Sequence, residues 1–151
     1  MTKNESLHPL GKYIRLSREK NTQLLATRHF GLSASEGLVE LPFDKGKRDK
    51  SSYWILRKGQ IAVDLMHLGQ VREFAFERYT HNDLGIISNI HTVFSISDFS
   101  LDGKYLFLIL KSQRKKNILL HYACHGVEMV LPWEDFCNLP IRVPPPASKK
   151  S

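Results

Sequence analysis

Cysteine is scarce: Cys124 and Cys137 are the only two in 151 residues. Two thiols cannot build the multi-bridge framework of small secreted domains, so an intracellular location, cytoplasmic or nuclear, is expected. No apolar run approaches the roughly 18 residues a membrane-crossing helix needs, and no membrane partner is expected. The opening "MTKNESLHPLGKY" has no apolar core of a secretory leader. Catalytic signatures are missing too. There is no G-x-S-x-G and no H-E-x-x-H, and "DKGKRDKSS" lacks the spacing of a phosphate-cradling loop. No enzyme activity and no cofactor are expected. His121, Cys124, His125 and Cys137 do not follow zinc-finger spacing, so no metal is expected.

What is present is a normal apolar fraction, 42%, in a chain long enough for one domain. The net charge is +7 and the isoelectric point about 9.5. That balance favours polyanionic partners. The excess sits in clusters, one from Asp44 to Lys50 with Lys47 and Arg48, another from Lys111 to Lys116.

Residues 1–41 read as an N-terminal helical segment, because Leu10, Ile14, Leu24, Leu25 and Phe30 have partial helical spacing and Gly31 is a plausible stop. Residues 42–52, "PFDKGKRDKSS", form a basic linker. Residues 53–140 read as short strands closed by a helix: "YWILR", "IAVDLM", "VREFAFERY", "HTVFSIS", "KYLFLILK", "NILLHYA" and "VEMVL", then "WEDFCNL" after Pro132. Asp102-Gly103 looks like a tight hairpin turn before "KYLFLILK", a strand apolar on both faces. Residues 141–151 read as a disordered Pro/Lys tail. The expected class is α+β: an antiparallel sheet of about six to seven short strands, an N-terminal helical segment and a short C-terminal helix.

Two stretches carry candidate binding chemistry. By period two, Arg72, Phe74, Phe76 and Arg78 share one strand face, where aromatic rings flanked by arginines would stack bases and hold phosphates. The ordinary alternative is that Phe74 and Phe76 are core. The second stretch is the basic turn between two apolar runs, with Lys111, Arg114, Lys115 and Lys116, whose cations would release counterions on meeting a phosphate backbone.

Several local resemblances follow from these residues. Leu10 to Ser33 looks a little like the opening of a Cro/repressor-type helix-turn-helix, but Gly37 and Pro42 argue against a recognition helix after it. "DFSLDG" fits the D-x-S-x-x-G element of PilZ domains, without their arginine spacing. Residues 105–139, "YLFLILK", "SQRKK", "NILLHYA", "VEMVLP" and "WEDFCNL", resemble a repeat of the PUR family, and more loosely PUR/Whirly-type single-strand binders. That resemblance implies a sheet and hairpin tips meeting single-stranded nucleic acid through Lys111, Arg114, Lys115 and Lys116, with repeats or subunits pairing, hence a homodimer. The expected function is non-enzymatic binding of single-stranded DNA or RNA. The alternative is a protein-interaction or assembly module using the apolar sheet and the N-terminal helix.

Overall fold

A computed structural model of the chain describes residues 7–33, 35–42, 49–66, 75–98, 101–111 and 130–142. Among these residues lie ten strands in three sheets, with one helix of nine residues and one of five. The α+β expectation is overturned: the described body is mostly β, and it has no N-terminal helical segment.

The N-terminal part is extended for a reason visible in its side chains. Pro9 and Gly11 interrupt any helix, and only a single 3-10 turn, Leu10–Lys12, forms there. Beyond it Ile14 and Leu16 alternate with Arg15 and Ser17, the period of a strand with one buried face. The strands are β1 (Leu7–Pro9), β2 (Ile14–Ser17), β3 (Arg28–Ser33) and β4 (Gly37–Leu41). They are followed by β5 (Trp54–Leu56), β6 (Ile61–Val63), β7 (Phe76–Arg78), β8 (Gly85–Ile87), β9 (Thr92–Ile96) and β10 (Pro140–Arg142). β5, β6, β7 and β9 coincide with expected strands.

The stretch expected as a central strand, "KYLFLILK", is instead helix α1 (Gly103–Lys111). Asp102 does not turn a hairpin. Its carboxylate accepts from the Lys104 amide at 2.9 Å and its carbonyl from the Leu106 amide at 2.9 Å, which makes it the N-cap. Helical spacing buries Leu106 and Leu110 and leaves Leu108 70% exposed. The short helix α2 (Trp133–Cys137) forms where expected, with Pro132 at its N-cap and Glu134 and Asp135 in its first turn.

One sheet has the order β2-β9-β6-β7, all antiparallel, and a second has the order β4-β3-β8-β5, with only β3 and β8 parallel. β1 and β10 form a two-stranded clasp. Register places Ile14, Phe94, Ile61, Val63 and Phe76 on one face of the first sheet, packed with Leu106 and Leu110 of α1 and Phe136 of α2. The opposite face, with Val93 and Ala62, packs on Phe30, Leu56 and Ile87 of the second sheet. Beyond that sheet, Tyr53 and Ala26 cover Ile55 and Ile86.

Close approach between the layers needs Gly85. A β-carbon there would lie 2.7 Å from the Tyr79 hydroxyl and 2.9 Å from a Phe30 ring carbon. Two outcomes check this arrangement. Leu106→Ala should cost about 2–5 kcal/mol, whereas Leu108→Ala should stay within about 0.5 kcal/mol; equal costs in denaturant titrations would contradict the helix. Gly85→Ala should overpack the interface by about 1–3 kcal/mol, lowering Tm by roughly 3–10 °C.

Candidate nucleic-acid interface

β2 is an edge strand of the first sheet. The strand and its flanks carry Lys12, Arg15, Arg18 and Lys20, all exposed. None of the four has an acidic partner among the described residues. The one acid within the stretch, Glu19, is taken by Arg57, whose Nε and an Nη atom each donate to it at 2.8 Å. That bidentate contact holds the Glu19 carboxyl below its ordinary range. An extended chain advances about 3.3 Å per residue, so Arg15 and Arg18 stand roughly 10 Å apart along the chain.

A second set of acids is consumed elsewhere. Arg28 donates to both Glu40 oxygens, at 2.7 and 3.1 Å, and to Asp83 at 3.1 Å. Its hydrogen bonds hold both carboxyls low. Arg28 also stacks over Phe30, whose ring meets Tyr79 edge-on and lies flat against His81. This cluster joins β3, β4 and the loop after β7.

The chain beyond β2, with Arg18 and Lys20, leads into a loop with an unusual tip. Leu24 adopts φ 55°, the left-handed region, which costs a non-glycine residue roughly 1–2 kcal/mol. Leu24 and Leu25 are 61% and 65% exposed. Asn21, 1% exposed, roots the loop. Its amide donates to the Tyr53 carbonyl at 2.9 Å, its carbonyl accepts from Leu24 at 3.0 Å, and its side-chain oxygen accepts from Ala26 at 3.4 Å.

Of the residues singled out in the sequence, Phe76, Arg78 and Lys111 are brought together. Phe76 is buried in the core and meets Phe107 edge-on at 5.1 Å between ring centres, so its face is closed to bases. Arg78 lies over Phe107, 5.6 Å from the ring centre. Its Nε is buried without a hydrogen-bond partner, and its guanidinium packs against Gly103, where any side chain would collide with it. Lys111 is exposed and lies 5.9 Å from the Phe76 ring centre. Arg72, Phe74, Lys47, Arg48, Arg114, Lys115 and Lys116 lie outside the described residues. So do residues 112–129 of the PUR-like pattern, and its opening, Tyr105 to Lys111, is helical.

A helix over residues 1–41 would contain no sheet edge; the strand Ile14–Ser17 is what places Arg15 on one. The local signal was the alternation of Ile14 and Leu16 with Arg15 and Ser17. The described residues hold twelve Lys/Arg and eleven Asp/Glu, so most of the +7 excess belongs to the remainder of the sequence. Comparison with protein-family models and with curated proteins finds no match.

Burial also perturbs His29, which sits on the outer face of the second sheet, 5.5 Å from the Tyr53 ring centre. Desolvation and then the Lys50 charge lower its pKa, against a hydrogen bond that the imidazole donates to the Pro42 carbonyl. The folded state thus prefers neutral His29. Its share of stability is complete above the unfolded value, about 6.5, and is lost as pH falls through that value toward the lower folded one. His29→Gln should flatten the dependence of Tm on pH between about 7 and 5; an unchanged slope in thermal melts would show that another group is responsible.

Proposed function

We propose that this is a non-enzymatic nucleic-acid-binding protein that holds single-stranded DNA or RNA along the edge formed by Lys12, Arg15, Arg18 and Lys20. The observation that carries the reading is four exposed cations on edge strand β2 and its flanks, with the one acid inside that stretch, Glu19, already held by Arg57. Such a cluster of cations would meet a phosphate backbone and draw affinity from counterion release. Lys111 is exposed at the end of α1 and can add a contact. The basic sequences at Lys47-Arg48 and Arg114-Lys115-Lys116 add to the net positive charge of the chain. Phe76 supports the fold rather than stacking bases, because its ring is buried.

The protein-interaction alternative relied on an apolar sheet face and an N-terminal helix. Both faces of the first sheet are covered, and the described N-terminal residues form strands. The nucleic-acid reading uses surface that is open.

The test is binding of fluorescent oligonucleotides across a salt series. Wild type should bind single strands with an affinity that falls steeply with salt. Replacing Lys12, Arg15, Arg18 and Lys20 by Ala should weaken binding and lower the slope of log affinity against log salt by about 3, at about 0.7 per phosphate. Binding that is undetectable, or indifferent to salt, would sink the proposal. Arg114/Lys115/Lys116→Ala, measured beside it, divides the affinity between the two basic regions.

A further inference from the structure

Leu24 and Leu25 have no role in the core, yet the fold holds them outward. Their loop is fastened to β5 by Asn21 and by the bridge between Lys20 and Trp54. Leu24 is kept in a backbone conformation that leucine rarely adopts. A loop free to relax would turn such side chains inward or carry Gly or Asn at that position. Leu24 stands four residues after Lys20, in the loop that follows the last two cations, Arg18 and Lys20.

We infer that Leu24 and Leu25 form a wedge that inserts between stacked bases of the nucleic acid whose backbone lies on the Lys12 to Lys20 edge. This inference rests on the proposed function and deepens it. An exposed aliphatic side chain next to phosphate-binding cations can enter a base step and unstack it. Only one or two side chains are needed, which is what the tip offers. The same surface fits an anionic bilayer less well. A single myristoyl chain anchors a protein only marginally, and two leucine side chains bury less carbon than that. Two copies meeting tip to tip would bring Arg18 and Lys20 of each together, and like charges oppose that contact.

The experiment uses the full chain and an oligonucleotide carrying 2-aminopurine, whose fluorescence rises on unstacking. Wild type at saturating concentration should raise the signal several-fold. The variant Leu24→Asn/Leu25→Ser should bind with the same salt slope and affinity reduced about tenfold, and give no rise at saturation. Asn tolerates the left-handed conformation, so the variant's Tm should equal or exceed that of wild type, which separates loss of the wedge from loss of the fold. Wild-type binding without unstacking, or unstacking retained in the variant, overturns the wedge and leaves the basic edge standing. No wild-type binding to any oligonucleotide overturns the underlying function and the wedge with it. Leucine-dependent binding to vesicles containing phosphatidylserine, without unstacking of bases, assigns the tip to a membrane surface and overturns the wedge.

Discussion

The structure depends on one constraint: the β2-β9-β6-β7 sheet is buried on both faces, by unlike layers. β9 sits inside it, between β2 and β6. Its adjacent residues Val93 and Phe94 are both fully buried yet point oppositely, one to the second sheet and one to the helices. Strand period makes that possible, since successive side chains leave on opposite faces. Each cover must then be supplied from far along the chain. The second sheet comes from residues 28–41, 54–56 and 85–87, and the helical cover from residues 103–111 and 133–137. The clasp of β1 with β10 and the hydrogen bond from Leu10 to Leu139, 2.9 Å, tie the two ends over the same core.

Burying both faces leaves the edges of this sheet as its open parts. With its faces closed, this sheet can offer a partner only its rim, and β2 is one rim. Charged residues along an edge strand also discourage pairing with another sheet. Arg15 on β2 serves that purpose, and Lys12, Arg18 and Lys20 add positive charge on its flanks. The arginines at 28 and 57 are different in kind: each is locked in a fork on a carboxylate and adds rigidity rather than a free charge.

Part of this was legible from local sequence. β5, β6, β7, β9 and the Trp133 helix lie where strand alternation and helix-start chemistry put them. The basic character and the scarcity of catalytic signatures are compositional. The failures share one cause. "KYLFLILK" is nearly continuous in apolar residues, so period two and period 3.6 fit it equally. Leu10, Ile14, Leu24 and Leu25 gave partial helical spacing although Leu24 and Leu25 face solvent. Of the Arg72 to Arg78 face, Arg78 stands beside Phe107 and Phe76 is core, while Arg72 and Phe74 lie outside the described residues.

Sequence alone determined the charge, the short C-terminal helix, the acids at helix starts and several strand positions, because each rests on neighbours a few residues apart. Tertiary structure decided whether residues 103–111 coil or extend, since that follows from which leucines find a core to enter. It also decided which cations remain free. Arg57 finds Glu19 across 38 residues of chain and Arg28 finds Asp83 across 55, and no local pattern encodes such meetings. The open edge of β2 is what remains after those pairs are made.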